Sequence, residues 1–88
     1  MRPILPAIAD EQFQRGDVPM TKREIRVFLM AHAMVQPSDI VWDIGAGTGS
    51  LSVEAALRAP AGTVFAMDGN AEACELVRCN ARSFGLDN

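Results

Sequence analysis

Apolar positions recur along this chain with two different rhythms, and the changes of rhythm mark its elements. Ile25, Phe28, Leu29 and His32 fall at helical spacing, which predicts a helix beginning at Thr21. Thr21-Lys22-Arg23-Glu24 has the form of a capping box, with Met20 and Ile25 at the positions of a hydrophobic staple. Pro37 disfavours the helical conformation of the residue before it, so this helix should stop near Gln36. Ser38-Asp39 then turns the chain. From Ile40 to Ile44 apolar residues occupy both faces apart from Asp43, the pattern of a strand buried on both sides. Thr63 to Met67 (TVFAM) reads the same way. Between them Leu51 to Arg58 predicts a short helix, ended by Pro60 and Gly62. Ala73, Leu76, Val77, Ala81 and Phe84 form the stripe of a third helix. Asn70 caps its start, Glu72 suits the positive end of its dipole, and Gly85 with Leu86 closes it.

The order helix, strand, loop, helix, strand, helix contains a βαβ unit with a parallel strand pair. The expected class is therefore α/β. Residues 1–20, broken by Pro3, Pro6 and Pro19, read as an irregular arm that Phe13 and Val18 pack onto the body. Residues 21–88 read as the domain proper. The chain stops at Asp87-Asn88, where a third strand is expected, so the sequence reads as the front part of a larger domain.

Composition narrows the function classes. The 88 residues carry a formal net charge of -3, which offers no general attraction to nucleic acid or to anionic membranes. No apolar run is long enough to cross a bilayer, and the start lacks the apolar stretch of a signal peptide. Cys74 and Cys79 lie on different faces of the third helix, so two half-buried free thiols in a reducing, cytoplasmic setting are expected. No metal site is expected. His32, at an apolar-stripe position, reads as core filler rather than a base.

The chemistry concentrates in "VWDIGAGTGS", Val41 to Ser50. A strand delivers the chain to a sheet edge, a loop with few side chains lets a ligand approach the backbone, and a helix begins there. A phosphate-binding Walker loop is excluded because no Lys follows the last glycine. A dinucleotide fingerprint would need Gly or Ala at position 50, where Ser50 stands. The glycines instead alternate as Gly45, Gly47 and Gly49, and Asp43 precedes them. The second strand ends in Asp68, 19 residues after Gly49, where a carboxylate accepts hydrogen bonds from a ribose diol.

Glycine loop, preceding acid and distant acid together resemble the class I S-adenosylmethionine-dependent methyltransferases. The resemblance implies a Rossmann-like fold of three αβα layers with parallel strands. It implies that Gly45, Ala46, Gly47, Thr48 and Gly49 line the methionine half of S-adenosyl-L-methionine and that Asp68 holds the ribose. Asp43 would act near the cofactor's amino group.

A narrower resemblance rests on Arg15 to Arg26, "RGDVPMTKREIR", taken with "VWDIGAGTGSLSVEAA". Together these stretches closely resemble the C15-methyltransferase and C12-decarboxylase family of cobalamin biosynthesis, the decarboxylating precorrin-6Y C5,15-methyltransferase activity. The resemblance runs from about Ala9 to the chain end and covers the N-terminal part of the family's domain. It implies that Thr21 borders the cofactor and that the substrate is a tetrapyrrole, a precorrin or cobalt-precorrin, bearing many carboxylates. It also implies a homo-oligomer and a C5-methylating partner subunit or domain. Arg15, Lys22, Arg23 and Arg26 are the candidate partners for substrate carboxylates. No catalytic residue is assigned. Other readings stay open at this point: a NAD-dependent oxidoreductase, a methyltransferase for another substrate, or a non-catalytic fragment.

Overall fold

The computed structural model describes residues 8–87. Pro3 and Pro6 of the expected arm lie outside them. After a 3₁₀ turn at Asp10–Gln12 come α1 (Arg23–Ala33), β1 (Ile40–Ile44), α2 (Ser50–Arg58), β2 (Thr63–Met67) and α3 (Ala71–Ser83). The strands are parallel and in register from Ile40 opposite Thr63 to Ile44 opposite Met67. Their entries are tied by two further bonds, Ala61 N–H to the Pro37 carbonyl (2.8 Å) and Thr63 N–H to the Asp39 carbonyl (3.1 Å). The βαβ reading of the sequence is therefore met element by element.

The start of α1 departs from expectation. Lys22, not Thr21, is the N-cap, and no side chain caps this helix. The Thr21 carbonyl instead accepts from Arg26 Nε at 3.0 Å. A guanidinium reaching back one turn thus holds the segment that the capping box was expected to hold. The helix also ends early. Met34 adopts the left-handed conformation (φ 50°), which stops the helix short of Gln36. At α3 the sequence cues hold: the Asn70 side chain accepts from the N–H groups of Glu72 and Ala73, and Gly85 has φ 67°.

The core lies on one side of the sheet. Val53, Ala55, Ala56, Ala59 and Ala73 are buried there, at the centre and the C-cap of α2 and the start of α3. Val64 and Ala66 of β2 face the same cleft as Ser52, Val53 and Ala56 of α2 and Val77 and Ala81 of α3. The other sheet face is uncovered among the described residues, which corrects the expectation of strands buried on both sides. Ile40, Trp42 and Ile44 are 67%, 62% and 80% exposed, and Phe65 stacks on Trp42 with ring centroids 5.0 Å apart. The described helices form one layer on one side of the sheet, and no second layer among the described residues shields that face. No described helix is long and apolar enough to cross a membrane.

A buried ionic network joins the arm to the two helices beyond it. Arg26 is fully buried, and its Nη1 donates to Glu54 Oε2 at 2.9 Å while Nη2 pairs with Asp10. Glu54 also accepts from Arg58 and from the Ile8 N–H. The Phe13 ring lies 4.8 Å from the Arg26 guanidinium and 5.4 Å from the Phe84 ring. A buried charge stripped of its partner costs on the order of 3–5 kcal/mol, so these groups hold the arm by completing one another. Phe13 and Val18 are buried, as expected of an arm packed on the body.

Candidate functional site

The glycine loop leaves β1 at the carboxyl edge of the sheet. The N–H groups of Gly45 and Ala46 both donate to the Met67 carbonyl, at 2.7 and 2.8 Å, so the loop stays tied to the end of β2. Gly49 N–H then bonds the Ala46 carbonyl at 2.9 Å, and Gly49 itself caps α2 with φ 83°. A side chain at Gly49 would stand 2.9 Å from Val77 Cγ2. That glycine therefore serves the close approach of α3 to the loop. Gly47, at φ 59°, faces the arm, and a side chain there would meet the Pro19 carbonyl at 3.1 Å.

Asp68 joins the loop to the second strand. Its Oδ2 accepts from Gly47 N–H and its Oδ1 from Asn70 N–H, each at 2.9 Å. These bonds, Asn70 first and Gly47 second, hold the carboxyl below its ordinary value of 3.8. Asp68 is thus an anion throughout the neutral range, and each oxygen keeps acceptor capacity for a ligand.

A cavity of about 410 Å³ opens beside this pair, within the roughly 300–1,000 Å³ common for small-molecule sites. The arm forms one wall through Asp17, Val18 and Pro19. Gly45 and Gly47 form the floor, with nothing within 4 Å of where a Gly45 side chain would stand. Asp68, Asn70, Glu72 and Ala73 form the far side. Asp17, Asp68 and Glu72 bring three carboxylates to its lining, and among the described residues no Lys or Arg belongs to it. Glu72 Oε1 also accepts the Asp17 N–H at 3.1 Å, closing the arm onto α3.

Of the residues proposed from the sequence, Gly45, Gly47 and Asp68 meet at this cavity. Thr21, Ala46, Thr48 and Gly49 do not line it. Thr48 is buried, and its hydroxyl has no hydrogen-bond partner. Asp43 accepts from the Ser52 hydroxyl at 2.6 Å and lies in the groove between α1, β1 and α2 instead. Arg26, offered as a partner for substrate carboxylates, is buried and committed to Glu54 and Asp10. His32 is exposed, its ring centroid 4.5 Å from that of Phe28, so it fills no core in the described residues. Its spacing matched the stripe of α1, but Ile25 and Phe28 of that stripe are also exposed among the described residues. Cys74 and Cys79 are free and half-buried. No cluster of metal-ligating side chains occurs among the described residues.

Sequence reasoning missed Asp17, Val18, Pro19 and Glu72 as lining residues. Asn70 and Glu72 were visible only as helix-start residues, and a helix start beside a strand end was the available signal. In the arm the signal was the stretch Arg15 to Arg26, which pointed to Thr21 and not to Asp17, Val18 or Pro19, whose position over the loop comes from long-range contacts.

Comparison with known proteins adds family to geometry. A family model described as a precorrin methyltransferase domain matches residues 11–88. A protein of Saccharolobus solfataricus named "Probable cobalt-precorrin-6B C(15)-methyltransferase (decarboxylating)" is 41% identical over 87 residues, covering 97% of this chain and 44% of that protein. The crystal structure of precorrin-6y C5,15-methyltransferase from Geobacter metallireducens superposes with a TM-score of 0.83 at 33% identity, over 90% of this chain and 42% of that one. The precorrin 8W decarboxylase of Methanobacterium thermoautotrophicum gives the same TM-score and identity, over 92% and 44%. The chain thus spans less than half the length of the relatives it matches.

Proposed function

Because the chain belongs to the precorrin methyltransferase domain family, we propose that it forms the S-adenosylmethionine-binding portion of an enzyme that methylates a precorrin at C15 and decarboxylates its C12 acetate. The observation that carries this reading is the charge of the cavity. Three carboxylates and a glycine floor suit an adenosyl cofactor that bears a sulfonium and an ammonium group. The same lining repels the pyrophosphate of a nicotinamide dinucleotide, which disfavours the oxidoreductase alternative.

Bound there, S-adenosylmethionine supplies an electrophilic methyl group on a sulfonium that departs as a neutral thioether. The chain's residues would align and shield rather than transfer protons. Asp68, kept ionised by two backbone N–H groups, accepts the ribose hydroxyls. Gly45 and Gly47 let the cofactor lie against the backbone. Asp17 and Glu72 add negative potential to the lining, which suits a cationic cofactor. Arg15 and Lys22 are exposed and flank the cavity-lining arm segment in sequence, a suitable place to receive carboxylates of a tetrapyrrole. A homo-oligomer and a C5-methylating partner belong to the same reading of the whole protein.

Calorimetric titration of the whole natural protein tests the cofactor. Saturable binding of S-adenosylhomocysteine with no heat from NAD is expected. Binding of NAD and not of S-adenosylhomocysteine sinks the reading.

A further inference from the structure

Asn80 lies on α3, away from the lining of the cavity, and is fully buried. One amide side chain there joins three segments of the chain. Its Oδ1 accepts the Gln14 N–H at 2.7 Å. Its Nδ2 donates to the Gln14 carbonyl at 2.9 Å and to the Thr48 carbonyl at 2.8 Å. One N–H on one side and two carbonyls on the other leave a single orientation for the amide. Gln14 belongs to the arm and Thr48 to the glycine loop. Three residues beyond Gln14 the arm enters the cavity wall at Asp17. One turn before Asn80, Val77 packs against Gly49 of the loop.

We propose that Asn80 is a positioning residue for the cofactor site: it clamps the arm and the glycine loop to α3 and so fixes the width of the cavity between Val18–Pro19 and Gly47. This rests on the reading of that cavity as the S-adenosylmethionine site. The physical ground is that Asn80, itself fully buried, satisfies both main-chain groups of Gln14 and the carbonyl of the buried loop residue Thr48. No other polar side chain supplies these bonds among the described residues. Val18 Cγ1 stands 3.7 Å from where a Gly47 side chain would be, so a small displacement of the arm changes the wall directly. Asn80 acts through those two segments and touches no ligand itself.

The test uses Asn80→Leu, which keeps the number of side-chain heavy atoms on α3 but removes the amide, and Gln14→Pro, which leaves the α3 sequence unchanged, deletes the accepted N–H and sets a ring carbon where that proton faced Asn80 Oδ1. Gly62→Ala, remote from arm and cavity, serves as a control for global destabilisation. Each is made in the whole natural protein. S-adenosylhomocysteine affinity, the KM for S-adenosylmethionine, kcat and amide hydrogen exchange are measured. The expected result is faster exchange confined to the arm and loop, affinity weaker by about ten-fold or more, and KM raised with kcat retained at saturating cofactor. The Gly62→Ala control should leave affinity unchanged. Unchanged affinity in both arm–α3 variants overturns the inference, and so does an equal loss of affinity in the control. If Asn80→Leu does not fold, Gln14→Pro alone decides by the same criteria. A parent protein that fails to bind S-adenosylhomocysteine defeats the cofactor reading instead, and arm exchange in the variants then judges the clamp separately.

Discussion

At the scale of single residues, side chains of the same type hold opposite places. Arg26 and Arg23 sit three positions apart on α1, yet Arg26 is fully buried and Arg23 is exposed. The three carboxylates Asp43, Asp68 and Glu54 likewise diverge: one takes a serine hydroxyl, one takes two backbone N–H groups, and one takes two arginines. Asp68 yields a direct prediction. Its folded pKa is depressed, so its contribution to loop order is present above the ordinary carboxylate value of 3.8 and is lost as pH falls through the lower folded value. S-adenosylhomocysteine affinity should therefore stay flat with respect to this group across neutral and mildly acidic pH. Asp68→Asn turns one acceptor into a donor facing a backbone N–H. Calorimetry should show affinity weaker by on the order of ten-fold at neutral pH. An affinity within two-fold of the parent would remove Asp68 from the ribose role.

Between whole elements, the strand entry is the tightest point. A side chain at Gly62 would stand 1.9 Å from the Asp39 carbonyl oxygen and 2.9 Å from its carbon. Those are backbone atoms at the start of β1, so relief requires the two strands to separate where Thr63 N–H bonds Asp39. Gly62→Ala should cost about 1–3 kcal/mol or more in denaturant unfolding. Gly69→Ala provides the contrast, because nothing lies within 4 Å of its added carbon; it should stay within roughly 0.5 kcal/mol of the parent. Equal effects of the two would refute the steric account. The sequence marked Gly62 only as a helix stop, since the clash involves a residue 23 positions earlier. By contrast, β1, β2 and α3 were legible almost to the residue. Their cues are local: apolar runs of strand length, an Asn cap and a closing glycine. The start of α1 misled because a local capping signal at Thr21 lost to Arg26, whose position is set by Glu54 and Asp10.

For the whole molecule, the uncovered sheet face is the dominant feature. Ile40, Trp42, Ile44, Phe65 and Met67 expose one apolar surface, the kind of patch that other polypeptide covers. Trp42 is the sole tryptophan and reports on it. The isolated 88-residue chain should show solvent-type emission that acrylamide quenches readily, and covering polypeptide should shift that emission to the blue. Buried-type emission from a monomer of the isolated chain would contradict this arrangement. The amino-acid sequence by itself determined the element order, the parallel βαβ unit, the glycine loop and the acid at the end of β2, because spacing, caps and turn residues act within a few positions. Only the tertiary structure decided that the arm walls the cavity, that Asn80 holds it there, and that Arg26 turns inward. Those outcomes join residues 28 and 66 positions apart, and no local period specifies which distant partner a buried polar group will find.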